Sequence, residues 1–302
     1  MINYIKRKDL KVDKYDACIE NSIQSNIFGF SWYLDEVCSN WDVLVLNDYE
    51  AVMPISWRKK FGINYIYPPF WLLELGVFSL DESQGINPFL EVLYGEFKFA
   101  ELRLNTKNKF LKSRFLINKQ FQYLDLKIGY EAILKGYNRN RKREIIKANK
   151  NHLIENWNDK PEKLITIFKA NIAERVKGIS DKDYATLLNL MQLSIQKRVG
   201  ELLTIYDTNN KLLAAAFFLK HKNKVTQLVC ASDVSNRKNG VHTFFNDRAI
   251  FKYQPHFSVY NFGGSSMKNI ANYYTSFGAT TEEYQQIKYN NLPFLLKLFK
   301  KH

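Results

Sequence analysis

Arg237-Lys238-Asn239-Gly240-Val241-His242 joins an apolar run of strand length, Val225 to Ala231, to a stretch with apolar residues at helical spacing, Val241 to Phe251. A basic turn with a glycine in that place exposes backbone amides at a helix start, where a diphosphate can sit. The same residues also make an ordinary solvated turn. Further on, Ser258 to Phe262 reads as a second strand, Gly263-Gly264 breaks it, and Asn269 to Phe277 returns to a helical pattern. Tyr274 stands four residues before Gly278 and beside Tyr273, and either ring suits the core face of that helix.

The elements that must position these residues follow one plan twice. In the first half Asn3 to Ile5 is a short strand, Tyr15 to Ile23 and Ser31 to Cys38 are helical, and Val43 to Leu46 pairs with Ala51 to Trp57 across the turn Asn47-Asp48-Tyr49-Glu50. Asn64 to Tyr67 is a strand ended by Pro68-Pro69, Pro88 to Tyr94 is helical, and Ala100 to Leu104 and Gln122 to Leu126 are strands. The second half opens with a strand at Leu153 to Trp157. Asp159-Lys160-Pro161-Glu162 then predicts an N-cap and a helix to about Val176. Ser180 and Asp183 repeat that signal before Tyr184, Leu187, Leu188, Met191 and Ile195, which fall on one helical face. Leu202 to Tyr206, Leu212 to Leu219 and Val225 to Ala231 form an antiparallel meander.

With its Arg and Gly, the 237–242 loop resembles the Arg/Gln-x-x-Gly-x-Gly/Ala pyrophosphate loop of the GNAT acyltransferase superfamily. His242 departs from the pattern, and its ring must turn outward for the backbone to approach a phosphate. Nearly the whole chain is similar to the Fem-type tandem-GNAT proteins. Three segments carry the likeness: Trp41 to Leu46 with Asp48-Tyr49 and Ala51-Val52-Met53-Pro54, Tyr123 to Leu126 with Arg139 to Lys150, and Asn261 to Ala279. The resemblance implies an α/β (α+β) chain of two GNAT-like domains, each a mixed, mostly antiparallel sheet flanked by helices. It divides the chain into an acceptor-side domain at 1–129, a basic crossover helix at 130–151 and an acyl-donor domain at 152–302.

The same resemblance implies transfer of an acyl group, acetyl first, from a coenzyme A thioester to an amine or similar acceptor. Acetyl-CoA or another acyl-CoA would be held by Val229, Ala231, Arg237, Lys238, Asn239, Gly240, Val241 and His242, with no metal. A backbone N–H of the Val225 to Ala231 strand would meet the developing oxyanion, and Tyr274 would act as general acid toward sulfur. Asp233 or a water would take the amine proton, although an Asp after a strand is also a turn residue. Two other readings stand beside this one. The fold also serves aminoacyl-tRNA-dependent peptidyltransferases of cell-wall or lipid precursors, but no heptad run here supplies a helical arm for RNA. It also serves as a non-catalytic module binding nucleic acid or a partner. Fold alone does not choose among them.

Charge bears on the partner. The formal net charge is +14, which suits an anionic acceptor or precursor. Arg139-Asn140-Arg141-Lys142-Arg143, with Lys147 and Lys150, concentrates it on helix-compatible sequence interrupted only by Glu144. Arg139, Arg141 and Lys142 would draw a phosphorylated acceptor or a tRNA acceptor stem, or else form a solvated face. In the first half Tyr67-Pro68-Pro69-Phe70-Trp71 occupies the place of the basic loop, and proline removes amide donors. Tyr67 and Trp71 are the acceptor-cleft candidates there, with core packing as the alternative.

Several classes are excluded. The 302 residues, 46% hydrophobic and 15% aromatic, suffice for two ordinary cores. No window is apolar enough for a membrane span, and Leu212 to Leu219 is too short. Met1 to Lys6 lacks a secretory signal's apolar core, so the expected location is the cytoplasm. Cys18, Cys38 and Cys230 are too widely spaced for a disulfide framework or zinc site, and the five histidines form no helical ligand pair. There is no Gly-x-Ser-x-Gly elbow, Walker loop or Gly-x-Gly-x-x-Gly.

Overall fold

The computed structural model describes residues 1–108, 114–172, 176, 178–264 and 267–294. The chain divides into two compact units, Met1–Lys119 together with Glu283–His302, and Gln120–Glu282. Among the described residues no helix is long and apolar enough to cross a membrane.

The first unit begins β1 (Ile2–Lys6), α1 (Val12–Asn21), α2 (Ser31–Val37), β2 (Trp41–Leu46), β3 (Ala51–Lys60) and β4 (Ile63–Ile66). It continues with β5 (Phe78–Ser79), α3 (Asn87–Glu96) and β6 (Phe99–Arg103). Its strands lie in the order β1-β2-β3-β4-β6, with β5 on the side of β3. All these pairs are antiparallel except β4 and β6, which meet in parallel at Ile66 and Ala100. The β2–β3 turn works because Asn47 and Tyr49 take left-handed conformations, φ 49° and 65°.

β7 (Leu116–Asp125) passes from the first unit into the second at Gln120, and the second unit continues with α4 (Tyr130–Gly136), α5 (Arg139–Lys150), β8 (Ile154–Asn156), α6 (Glu162–Asn171) and α7 (Asp181–Gln196). Then follow β9 (Gly200–Tyr206), β10 (Leu212–His221), β11 (Lys224–Ser232), α8 (Val241–Tyr253), β12 (Val259–Asn261) and α9 (Lys268–Thr275). The final strand, β13 (Thr280–Asn290), returns to the first unit, where Gln286 to Asn290 pair antiparallel with Arg103 to Phe99 of β6. The second unit's strands run β7-β12-β11-β10-β9-β8, and only β11 and β12 are parallel. Each unit is thus a mixed, mostly antiparallel sheet with one parallel pair, flanked by helices.

Packing follows the sequence pattern. Leu213 to Leu219 of β10 are all buried, as a strand covered on both faces must be. Phe245, Ala249 and Ile250 of α8 share a core with Ala214, Ala216 and Phe218 of β10, while α6 lies against β10 and β11. Ser180 and Asp183 make the reciprocal capping box that starts α7. Asp159 does not cap α6. Its carboxylate instead accepts the hydroxyls of Thr204 and, at 2.7 Å, Tyr206, and α6 begins without a side-chain cap. The helix expected to reach Val176 ends at Asn171; residues 173–175 lie outside the described residues. The basic 130–151 stretch is two helices rather than one, broken at Tyr137-Asn138, where the Asn138 side chain caps α5. Both helices belong to the second unit.

Candidate functional site

β11 and β12 pair only at Lys224–Val259, Val225–Tyr260 and Thr226–Asn261. Beyond that point the left-handed Gly263 and Gly264 lead β12's chain away, and a Cβ on Gly264 would fall 2.6 Å from the Phe121 side chain. β11 runs on to Ser232, held on one side by β10 alone. Phe217 faces Val229 and Phe218 faces Gln227, so Leu228 is an extra residue, a bulge at the place where the parallel strands part. A bulge of this kind bends its strand and re-aims backbone groups. Among the described residues Gln227 to Ser232 have no partner strand on the β12 side, so that edge of β11 can offer backbone N–H groups to a substrate carbonyl in the opening where the strands part.

The side chains over this opening come from α8, α9 and β12. Tyr274 is buried, its ring stacked on Phe262 at a 4.6 Å centroid separation. Burial pushes its phenol well above the ordinary tyrosine value, neighbouring Cys230 and Tyr273 add to that, and a hydrogen bond with Gln227 opposes it. At neutral pH the Tyr274 hydroxyl keeps its proton and is a donor. Gln227 accepts the Tyr260 hydroxyl at 2.9 Å and donates to Cys230 Sγ at 3.2 Å. The Tyr260 hydroxyl also reaches Asn246 Oδ1 at 3.5 Å, and Asn246 donates to the His242 carbonyl at 2.9 Å. A buried polar chain thus joins the phenol of α9 to the first turn of α8. Burial pushes the Cys230 thiol up to about 12, so it stays a thiol at neutral pH and is no ready nucleophile.

The segment before α8 is a short 3-10 turn, Val234–Asn239, and Gly240 is left-handed at φ 78°. No side chain caps α8, which leaves its first-turn amides without that kind of partner. What lies against this start is α5. A Cβ on Gly240 would stand 2.3 Å from the Glu144 carbonyl oxygen, so the space glycine leaves open is filled by a neighbouring helix. The Glu144 carboxylate accepts the Thr243 hydroxyl in that first turn and pairs with Arg141 at 3.0 Å. Arg141 donates to Thr243 Oγ1 at 2.7 Å and lies 4.5 Å from the Tyr273 ring centroid. Arg141 thus turns inward and leaves the solvent face of α5 to Arg139, Lys142, Arg143, Lys147 and Lys150. Its Nε is buried without a hydrogen-bond partner. The His242 ring packs on Phe245 and Tyr273 at 4.7 and 4.9 Å, and its Nδ1 lies 3.3 Å from Ser232 Oγ. It turns toward β11 rather than outward.

Of the residues singled out from the sequence, Val229 and Ala231 lie in β11, His242 reaches its Ser232, Tyr274 bonds its Gln227, and Gly240 and Val241 open α8. Lys238 is exposed, and Asn239 donates to Asn236 at 2.9 Å within the turn. The side chain of Arg237 lies outside the described residues. Asp233 has a turn residue's environment: it accepts from Ser235 N, Ser235 Oγ and Asn236 Nδ2 and pairs with Lys211 at 2.8 Å. Its partial burial works the other way, but Lys211, Ser235 and Asn236 hold its carboxyl well below the carboxylate range, which suits a turn and not a base. Tyr67 and Trp71 lie in the first unit. The Arg58 guanidinium sits over the Tyr67 ring at 4.0 Å, and Tyr33 donates to the Trp71 carbonyl at 2.5 Å. Gln227, Asn246 and Tyr260 escaped sequence reasoning. The clue was the amide of Gln227 inside the run Val225-Thr226-Gln227-Leu228-Val229, since an amide buried in a strand needs partners.

No protein-family model and no curated protein sequence matches the chain. Solved structures do. FemX superposes with a TM-score of 0.67 at 12% identity, covering 99% of this chain and 100% of its own. The C-terminal domain of a putative lysylphosphatidylglycerol synthetase from Agrobacterium fabrum gives 0.60 at 11% identity, covering 95% and 94%. A tandem GNAT protein from the clavulanic acid biosynthesis pathway gives 0.55 at 9% identity, covering 97% and 100%. At such identities the likeness is one of fold. The chain has the Fem-like tandem-GNAT fold.

Proposed function

We propose that this tandem-GNAT chain transfers an acyl group from an activated carboxyl donor to an amine, with the reacting carbonyl seated in the opening between β11 and β12. The observation that carries this reading is the parting of the two strands after Thr226 and Asn261, with the Leu228 bulge at the fork and the Tyr274 phenol over it. Amine attack on the acyl carbon forms a C–N bond and places negative charge on the carbonyl oxygen, where backbone N–H groups of Gln227 to Ser232 stabilise it. Tyr274 then gives its proton to the departing sulfur or oxygen, and Gln227 fixes the direction of the phenol. Water, rather than Asp233, takes the proton lost by the amine. Holding donor and acceptor in line supplies much of the acceleration.

The donor is proposed to be an acyl-coenzyme A, on the strength of the uncapped α8 start and the left-handed Gly240 before it. Of the residues nominated for it, Arg237, Lys238 and Asn239 would meet the diphosphate and Val229 and Ala231 the acyl arm. A second reading, an aminoacyl ester carried by tRNA, draws support from one observation: the Glu144 carboxylate already bonds the first turn of α8, where a diphosphate would meet like charge. On either reading the exposed cations Arg139 and Lys142 of α5 would draw an anionic substrate, and Tyr67 and Trp71 of the first unit remain acceptor candidates. Calorimetric titration of the whole chain with coenzyme A, acetyl-CoA and an RNA stem bearing a non-hydrolysable aminoacyl end decides between the donors. Micromolar coenzyme A binding that is lost in Arg237→Ala supports the thioester. Binding of the RNA end alone supports the ester, and binding of neither overturns acyl transfer.

A further inference from the structure

A second cavity in the same unit, of about 530 Å³, opens where β10 turns into β11. It lies at the start of β11, whose first residue Lys224 stands four residues before the Leu228 bulge, roughly 13 Å at the usual rise of a strand. Four cations line it, Arg198, Lys220, Lys222 and Lys252, against the single carboxylate of Glu201. The lysines and arginine exceed the carboxylate by three charges.

Glu201 has a structural part of its own. It pairs with Lys220 at 2.7 Å and Lys252 at 3.2 Å and accepts the Tyr253 hydroxyl at 2.8 Å, fixing two ammonium groups on the cavity wall. Arg198 and Lys222 enter from two separate turns, and both have left-handed backbones, φ 61° and 50°. Glycine or asparagine relieves such positions. This chain places a cation at each, and both face one cavity. No hydrogen bond or ion pair to a described residue engages the Arg198 guanidinium. Helix ends explain part of the charge, since Lys252 and Arg198 stand at the negative C-terminal ends of α8 and α7. They do not explain Lys220 and Lys222, which a β-hairpin carries.

We propose that this cavity binds a multiply charged phosphate anion, a di- or triphosphate chain. The excess of three charges matches such a chain, and the volume exceeds what one phosphate fills. Arg198 provides the planar fork that phosphate oxygens favour, and the lysines provide point charges. His221, His256 and Phe257 complete the wall and leave room for a nucleoside beyond the phosphates.

The test is titration of the full chain with inorganic tripolyphosphate and with ATP, on wild type, Arg198→Gly, Lys222→Gly and the exposed control Lys182→Gln. The site predicts saturable binding, weakened about tenfold or more in each glycine variant and unchanged in Lys182→Gln. The melting temperature of each glycine variant without ligand should hold or rise, because glycine relaxes the turn. Tighter binding of ATP than of tripolyphosphate assigns the site to a nucleotide, and equal or weaker binding assigns it to the phosphate chain alone. No binding to wild type overturns the proposal, as does an equal loss in Lys182→Gln, which would reduce the effect to net charge.

Discussion

Replacing Gly240 with alanine measures how closely α5 is built onto the start of α8. Gly278 is the internal reference, because both glycines lie in the second unit with nearly the same backbone, φ 78° and 81°. An alanine at either position meets the left-handed penalty of about 1–2 kcal/mol. The surroundings differ. At Gly278 the new methyl makes ordinary contact with the Gly136 carbonyl oxygen at 3.5 Å, whereas at Gly240 it falls 2.3 Å from the Glu144 carbonyl oxygen. That oxygen belongs to the backbone of a helix tied down by Arg141 and by buried Ala148, so it cannot swing aside as a side chain would. Overpacking of this kind adds about 1–3 kcal/mol, which gives roughly 2–5 kcal/mol for Gly240→Ala against about 1–2 for Gly278→Ala. In urea unfolding followed by circular dichroism, with a slope of about 2 kcal/mol/M, the midpoints should separate by roughly 0.5–1.5 M. Equal midpoints for the two variants would refute the seating of α5 on Gly240.

Three further outcomes are expected. Glu144→Gln takes a carboxylate from the first turn of α8 and should tighten coenzyme A binding about threefold to tenfold by calorimetry, if a diphosphate sits there; an unchanged affinity would put the diphosphate elsewhere. Asp233, whose folded carboxyl is held below its unfolded value, contributes stability that is present above about pH 4 and is lost as pH falls through the lower folded value. Asp233→Asn should therefore flatten the acid limb of a melting-temperature profile, and an identical limb would remove Asp233 as its source. Asp247 runs the other way, since burial raises its carboxyl although Tyr130 and Tyr137 donate to it at 2.8 and 3.2 Å. Its contribution is fully present below the unfolded value and is lost as pH rises through the folded one, so Asp247→Asn should gain relative stability from pH 4 toward 7, and a constant difference across that range would contradict this.

What sequence could reveal depended on where each element's partner lay. The Ser180–Asp183 capping box, the β9–β10–β11 meander and the strand, turn and helix around Gly240 are written in neighbouring residues, and they stand where local patterning put them. β13 was not anticipated. Thr280-Thr281-Glu282-Glu283-Tyr284-Gln285-Gln286 has little apolar alternation, and from Gln286 to Asn290 the strand is held by a ladder to β6, far away in sequence. Asp159 has the spacing of a cap, but Thr204 and Tyr206 from β9 compete successfully for its carboxylate. Arg141 sits in a basic run that reads as one solvated face, yet the helical turn points it inward to Glu144 and Thr243. At the site, Tyr274 and the Gly240 turn are marked by type and spacing. The Leu228 bulge and the chain from Gln227 through Tyr260 to Asn246 depend on register and burial, which no local pattern encodes.

The measurement closest to the central claim is single-turnover acyl transfer from the donor that binds, in wild type and in Tyr274→Phe, with donor affinity measured in parallel. The variant keeps the ring stacked on Phe262 and loses only the hydroxyl. Proton donation to the leaving group predicts donor affinity within about threefold of wild type and a transfer rate lowered by roughly 100-fold or more. A transfer rate equal to wild type at unchanged affinity would contradict the account and take Tyr274 out of the chemistry.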